Sequence, residues 1–541
     1  MAYAGNRIRK DSREGGRMGI YVNPGNGAYR EAVNSPIYVD KSELISYTNQ
    51  CLNTLQKYLC VSRPRRFGKS MAADMLVAYY SRGCDSRAFF SGRKIEQDDA
   101  FSVHLNQHNV IRLDVQRFLE SEHEISEYIN EIERKVIREL RMEFPQCDGL
   151  KENDRLKDVL DQIFVQTGNG FVFIIDEWDC VFRIAREQEE AQKRYMDFLR
   201  GLFKGAEYVE LVYMTGILPI KKYGEHSAIN IFNEYSIIDP KNLGSCFGFT
   251  REEVRRECEK HNMAYEELER WYDGYLIGEE HIYNPKSVAD ALLWKRCRSY
   301  WTGTETYEAL KVYIDRNFDG LREAVIEMLG NGRCKVDTST SQNDMTNFKT
   351  RDDVLTLLIH LGYLGFDEKS GETFIPNQEI EQEFLRAIKV SGWDGLYQAL
   401  NQSEELLERT LALDGEAVAK GMEAIHSETA SLLKYSDENS LTCTILMAYY
   451  SAKKFYMNPI MELPSGKGLA DVVYLPRRGT DCPALVVELK WNRSAAGAIA
   501  QIKDREYASW IREYTGDILL IGINYNQKEK KHTCVIETWR G

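Results

Sequence analysis

Four short apolar runs, Leu59–Val61, Val110–Val115, Phe171–Ile175 and Leu211–Thr215, are each bounded by polar residues. Runs this short with no apolar/polar alternation predict strands buried on both faces. Between and before them, Ser42–Leu59, Ser70–Ser81, Glu122–Phe144 and Asp154–Val165 carry apolar residues at helical spacing. Strands alternating with helices predict a parallel sheet with covered faces.

From about Arg251 to Ser427 the pattern turns mostly helical, with Arg251–His261, Pro285–Arg296, Tyr307–Asn317 and Leu321–Leu329 fitting helices. Asn331–Thr350 is rich in Ser, Thr and Asn and reads as a loop. Asp353–Leu364 followed by Thr373–Pro376 suggests a helix and then a short hairpin arm, as in a small winged-helix-like unit. From Asn439 the alternation returns. Ser440–Ser451 and Gly497–Ile511 fit helices, and Ala470–Leu475, Ala484–Leu489, Ile518–Ile523 and Thr533–Thr538 fit strands. The class expected is α/β at both ends around a helical middle. The segments are a flexible 1–19, a parallel-sheet unit over 20–250, a helical region over 251–427 and a second α/β unit over 428–541.

Composition narrows the choice. The chain has 541 residues, 43% of them hydrophobic and 28% charged, enough to bury cores in several domains. No apolar run approaches the roughly 20 residues of a membrane span. The first residues, Met1–Arg17, are polar and basic with no apolar stretch, so neither membrane nor secretory export is expected. The 12 cysteines form no CxxC, so zinc and disulfides are not expected; reduced thiols fit a cytoplasmic protein. The nine histidines form no HxH or HExxH pattern and read as scattered residues. A net charge of −13 excludes a protein that coats nucleic acid along its whole length. From Ser431 to Gly541, however, 15 Lys and Arg stand against 12 Asp and Glu. That excess is compatible with a local polyanion site at this end.

Candidate chemistry lies at the strand ends. Ser62-Arg63-Pro64-Arg65-Arg66-Phe67-Gly68-Lys69-Ser70 follows a strand and opens a helix, the context of a phosphate-binding loop. Backbone N–H groups and the helix dipole would face the phosphates of ATP along Arg65, Arg66, Phe67 and Gly68. Lys69 would reach the β- and γ-phosphates, and the Ser70 hydroxyl would ligate Mg²⁺. Arg63 stands where the full pattern has Gly, and three arginines make the loop more cationic. About 100 residues on, Phe171–Ile175 runs into Asp176-Glu177. Asp176 would hold Mg²⁺ through water, and Glu177 would orient or activate the attacking water. Thr215, at the end of its strand, reads equally as a γ-phosphate sensor or a plain strand-end threonine.

Those residues, with Tyr38-Val39-Asp40-Lys41-Ser42 before them and Thr215-Gly216, Phe247-Gly248-Phe249-Thr250, Tyr272-Asp273-Gly274-Tyr275, Tyr283-Asn284-Pro285 and Tyr300-Trp301 after, resemble the prokaryotic AAA-ATPase-like family. The resemblance covers roughly residues 18–300. It implies a P-loop NTPase sheet domain, makes Arg63 a family trait, and shows a mild departure at Trp178, more often Tyr in the family.

At the other end, Gly468-Leu469-Ala470-Asp471 opens one strand and Val487-Glu488-Leu489-Lys490 closes the next. Adjacent strands would bring Asp471 and Glu488 together, with Lys490 on the face of Glu488. Two carboxylates holding Mg²⁺, with a Lys to position water or offset charge, suit phosphodiester hydrolysis. With Gln501 and Tyr507 on the following helix, the arrangement looks like the PD-(D/E)XK nuclease superfamily, a restriction-endonuclease-like fold, over about residues 430–540. The resemblance implies catalytic roles for Asp471, Glu488 and Lys490 and a supporting one for Gln501. Glu438 and Glu462 are candidate extra carboxylates or plain surface charges. Ala470 stands where the strict motif has Pro. Two readings follow. The first is an ATPase coupled to a Mg²⁺-dependent nuclease with DNA as the first-choice partner, for which the resemblance implies a mobile-element or defence setting. The second is a nucleotide-dependent switch or scaffold whose nuclease-like unit binds without cleaving. A homo-oligomer is compatible with either.

Overall fold

The computed structural model describes residues 19–119, 125–185, 188–220, 230–301, 310–312, 318, 320–339, 348–391, 393–429, 444–465, 468–477, 479–504 and 516–539. The four apolar runs become strands β1 (Tyr58–Ser62), β2 (Asn109–Asp114), β3 (Phe171–Asp176) and β4 (Val209–Gly216). A fifth, β5 (Asn233–Tyr235), has three residues, too few for a pattern to show. All pair in parallel in the order β2-β3-β4-β1-β5. Both faces are covered. Helix α1 (Lys69–Tyr80) lies on one, and helices Ile125–Glu143, Leu156–Thr167 and Glu189–Phe203 lie on the other. The alternation Val172/Ile174 toward α1 and Phe171/Phe173/Ile175 away from it divides β3 between the two cores.

The middle region is less uniformly helical than its pattern predicts. β6 (Phe249–Thr250), β7 (Tyr275–Ile277) and β8 (Glu280–Tyr283) form a small antiparallel sheet before helix α2 (Pro285–Trp294). The Asn331–Thr350 stretch, expected to be a loop, contains β9 (Cys334–Lys335). This strand is held in place by pairing with β11 (Glu372–Phe374), which in turn pairs with β10 (Gly365–Asp367). With helix α3 (Arg351–Leu361) before that hairpin, the helix-and-arm unit is present as expected. Its start is fixed by a capping box between Thr350 and Asp353. The helix expected over Tyr307–Asn317 lies largely outside the described residues.

Helices α4 (Gln378–Val390), Asp394–Leu411 and α5 (Gly415–Thr429) lead to the last unit. There, β12 (Ile460–Ser465), β13 (Gly468–Tyr474), β14 (Ala484–Trp491), β15 (Ile518–Asn526) and β16 (Lys531–Trp539) form a mixed sheet in sequence order. Only β14 and β15 are parallel. Val473, Ala484, Val486, Ile518 and Leu520 pack against Ile499 and Ile502 of helix α6 (Ala495–Asp504). The opposite face, with Val472, Leu485, Val487 and Ile521, joins one apolar cluster that continues through α3 and α4 to Tyr275 and Phe67. A single core therefore links the last sheet to the loop after β1.

Candidate functional site

The carboxyl ends of the parallel strands carry one row of paired positions: Asp114 opposite Asp176, Asp176 opposite Thr215, Thr215 opposite Val61. Beyond Val61 the chain turns through residues 63–68 into α1. Gly68, with φ 86°, is the N-cap, and no side chain caps the helix. A Cβ there would be strained by the backbone but would meet no atom within 4 Å, so the inner face of the turn is open space. The free N–H groups at the start of α1 lie at the same place. At the facing strand end Gly216 is needed for another reason. A Cβ would come within 2.5 Å of Asp179 Oδ1 and 2.9 Å of Trp178.

The loop's three arginines diverge, and the expectation that all of them charge the phosphate turn fails for Arg63. It is fully buried. Its guanidinium donates to the carbonyls of Ser62, Tyr235 (2.7 Å) and Leu243 (3.2 Å) and lies over the Phe247 ring. Arg63 ties β1 to β5, a task that a glycine in its place could not perform. Arg65 lines the cavity beside the turn, and Arg66 donates to the Tyr300 carbonyl at 2.6 Å. The Phe67 ring packs in the core, edge-on to Tyr275, which leaves its backbone for the loop.

Lys69 is buried and donates to the Pro64 carbonyl at 3.0 Å. Burial lowers its pKa, and Glu177, Asp176 and Asp179 oppose that. The Asp176 carboxyl is pushed up by burial and held back by the Ser70 hydroxyl and Lys69. Glu177 has a left-handed backbone (φ 52°). Burial raises its pKa, and Arg183 and Lys69 oppose the rise. Arg183 grips the Glu177 carboxylate and reaches Asp179 at 3.3 Å. Asp179 in turn accepts the N–H groups of Ile217 and Leu218 just past β4. Sequence reading missed Arg183. Its four-residue spacing from Asp179 on a helix was the available signal. Asp114, which raises the pKa of Asp176 from the next strand, was missed as well. Thr215 is buried in the row between Asp176 and β1.

A cavity of about 630 Å³ is lined by Lys69, Ser70, Glu177 and Arg183 from among these groups. Its lining combines Arg65, Gly68, Lys69, Ser70, Glu177 and Arg183 with the apolar Ile37, Val39, Met75 and Phe249. Apolar and cationic side chains around one cavity are the mixture that a ligand with an apolar body and an anionic group requires.

In the last unit, β14 carries Glu488, which is buried. Lys490 donates to its Oε1 at 2.9 Å, and Gln501 of α6 donates to the same oxygen. Asp471 lies on β13, but its side chain is outside the described residues. So is that of Glu462 on β12, and all of Glu438. The register Val472↔Val487 and Val473↔Val486 is antiparallel. Four of the described histidines fall into two pairs. His104 and His108 are 3.0 Å apart with Glu210 beyond, and His426 meets His532 at 3.1 Å across α5 and β16. Folding creates the second pair from positions 106 residues apart, so no local motif announces it.

A parallel sheet whose first strand turns through a left-handed glycine into a Lys-Ser helix start, facing strand-end acids, is the P-loop NTPase-like arrangement. Residues 30–224 match the family model described as "Predicted AAA-ATPase", so this part of the chain is similar to AAA-ATPase-like domains. The chain is also 22% identical over 521 residues to an "Uncharacterized protein in vnfD 5'region" of Azotobacter chroococcum mcd 1, covering 91% of this chain and 93% of that one. Among the described residues no helix is long and apolar enough to cross a membrane.

Proposed function

We propose that the chain couples ATP hydrolysis to metal-dependent cleavage of nucleic acid, DNA in the first place. The observation that carries the reading is Glu488: a buried carboxylate within β14, three residues before its end, bonded by a Lys two residues on and a Gln from the next helix. Continuing the β13–β14 register by one pair sets position 471 opposite Glu488, which supports a second carboxylate there.

At the first site the residues fit Mg·ATP. The Ser70 hydroxyl and Asp176 carboxylate are oxygen donors of the kind a hard cation takes, and the turn at Gly68 opens onto the cavity. Bound there, the nucleotide supplies the phosphoryl group that water attacks. Lys69 exchanges the Pro64 carbonyl for phosphate oxygens. Glu177 orients the water once Arg183 yields part of its grip. Thr215 lies in the row where it can sense the terminal phosphate. At the second site, Asp471 and Glu488 would supply carboxylate oxygens to Mg²⁺, which lowers the pKa of a bound water. Lys490 would offset charge, and Gln501 holds the carboxylate in place.

Helix α4 supports a route between the sites. Its Glu379 accepts the N–H groups of Tyr300 (2.7 Å) and Trp301 (3.0 Å), next to the carbonyl that Arg66 holds. Its Glu381 accepts from Lys453 at 2.7 Å and from Tyr450, at the edge of the last unit.

The test is supercoiled plasmid with Mg²⁺, with and without ATP, comparing wild type, Glu488→Ala and Lys69→Ala, and a labelled RNA run in parallel. Nicking that Glu488→Ala abolishes and Lys69→Ala makes insensitive to ATP is expected. No cleavage of either nucleic acid would replace this reading with the switch or scaffold. Cleavage unchanged by Glu488→Ala would mean the site is misplaced.

A further inference from the structure

A second cavity, of about 580 Å³, lies beside the first. Arg66, Lys286, Arg298 and Arg386 line it, with Asp290 as the acid among its lining residues. On a chain of net charge −13 this is a local reversal of sign. Two of the cations are offset: Lys286 pairs with Asp290, and Arg386 pairs with Glu383 at 3.1 Å. Among the described residues neither Arg66 nor Arg298 makes an ion pair. Arg66 holds the Tyr300 carbonyl, and Arg298 lies over the Tyr300 ring at 5.0 Å. The lining also includes Ser299, Tyr300 and Gln382, hydrogen-bonding groups without an aliphatic wall. The first cavity has aliphatic lining, among it Ile37, Val39 and Met75, and this one does not.

From these features we infer that the second cavity takes the phosphodiester backbone of a nucleic acid strand, an inference that rests on the nucleic-acid reading above. Cations with few apolar partners contact phosphates and position a strand without reading its sequence. The side chains of Lys286 and Arg386 are about half exposed, at 53% and 50%. A polyanion can pass across such an open rim, whereas a free nucleotide needs enclosure. Arg66 and Lys286 line both cavities. A strand in the second therefore changes the electrostatics of the first, and linkage requires the effect to be mutual.

The experiment measures the anisotropy of a short fluorescein-labelled duplex, and of its single strand, against the full chain over a range of salt. The variants are Arg298→Glu, Arg386→Glu and the double reversal. Each single reversal is expected to weaken binding about tenfold, and the double reversal to lower the log–log salt slope by about two, near one per lost phosphate contact. A fluorescent ATP analogue should bind all variants equally without nucleic acid, which shows that the fold is intact. Duplex or single strand bound equally by wild type and double variant would overturn the cavity assignment and leave nucleic acid as a partner. No binding of either strand form by wild type would overturn both. A two-site titration of the ATP analogue that becomes one-site in the double variant would give the cavity to a second nucleotide instead.

Discussion

At the carboxyl end of β3, Asp176 and Glu177 stand beside a cavity of about 630 Å³. On β14, Glu488 is closed in by Lys490 and Gln501. Both are acids in apolar surroundings, the first at its strand's end and Glu488 three residues inside its own, and an unpaired charge would be costly in either place. The first set is balanced by exchangeable partners: a lysine resting on a carbonyl, a serine, an arginine shared between two carboxylates. Its backbone holds positive φ at Arg66, Gly68 and Glu177, strain that a loop retains when a ligand uses it. In the second set a single carboxylate oxygen accepts from both Lys490 and Gln501. The comparison teaches that the first site is arranged to be opened by an anion, whereas the second is arranged to hold one carboxylate still.

The largest effect that would break this contrast is expected at Lys69. Lys69→Ala should lower ATP hydrolysis, measured as phosphate release, by about 100- to 1,000-fold, with plasmid binding retained. Hydrolysis within about threefold of wild type would mean the cavity around the turn is not where the phosphates lie. Next comes Glu488→Gln, which keeps shape and removes charge. Plasmid nicking should fall about 100-fold while phosphate release stays unchanged. Equal loss of both activities would show that the two sites are not separate.

Where the chain announces its chemistry, continuous apolar runs do so. β1 and β3 are buried on both faces, so their sequences stand out and the polar residues that end them are marked. Gly68-Lys69-Ser70 and Asp176-Glu177 were legible for that reason, and Glu488 with Lys490 for a similar one. What was not legible depends on partners distant in the chain. Arg63 looks like its neighbours until Tyr235 and Leu243 offer their carbonyls. β12 and β5 are edge strands with mixed composition or three residues. The apolar lining of the cavity beside Lys69 comes from residues 37–39, 75 and 249, which share no motif.

A smaller effect sharpens the comparison by asking whether the sites communicate through α4. Glu381→Gln leaves acceptors for Tyr450 and Lys453 but removes the charge pairing across that contact. The effect of ATP on nicking should shrink about fivefold, the scale of a modest coupling energy, with ATP hydrolysis and ATP-free nicking both unchanged. An undiminished ATP effect would take α4 out of the route.

The smallest effect is a pH slope at the other end of α4. Glu379 is buried, accepts from Ser287, Tyr300 and Trp301, and has its carboxyl pushed up to about 7 by burial, from an ordinary value of 4.5. A carboxyl whose folded pKa lies above its unfolded one favours the folded state while protonated. Its contribution is therefore complete below about pH 4.5 and is lost as pH rises toward 7. The loss is at most roughly one kcal/mol per pH unit. Glu379→Gln stays neutral throughout, so its melting temperature should fall less than that of wild type between those pH values. At pH 8 the variant should be at least as stable. Parallel melting curves across the window would mean that Glu379 is already ionised in the folded chain, with the Tyr300 and Trp301 N–H groups stabilising the charge more than burial opposes it.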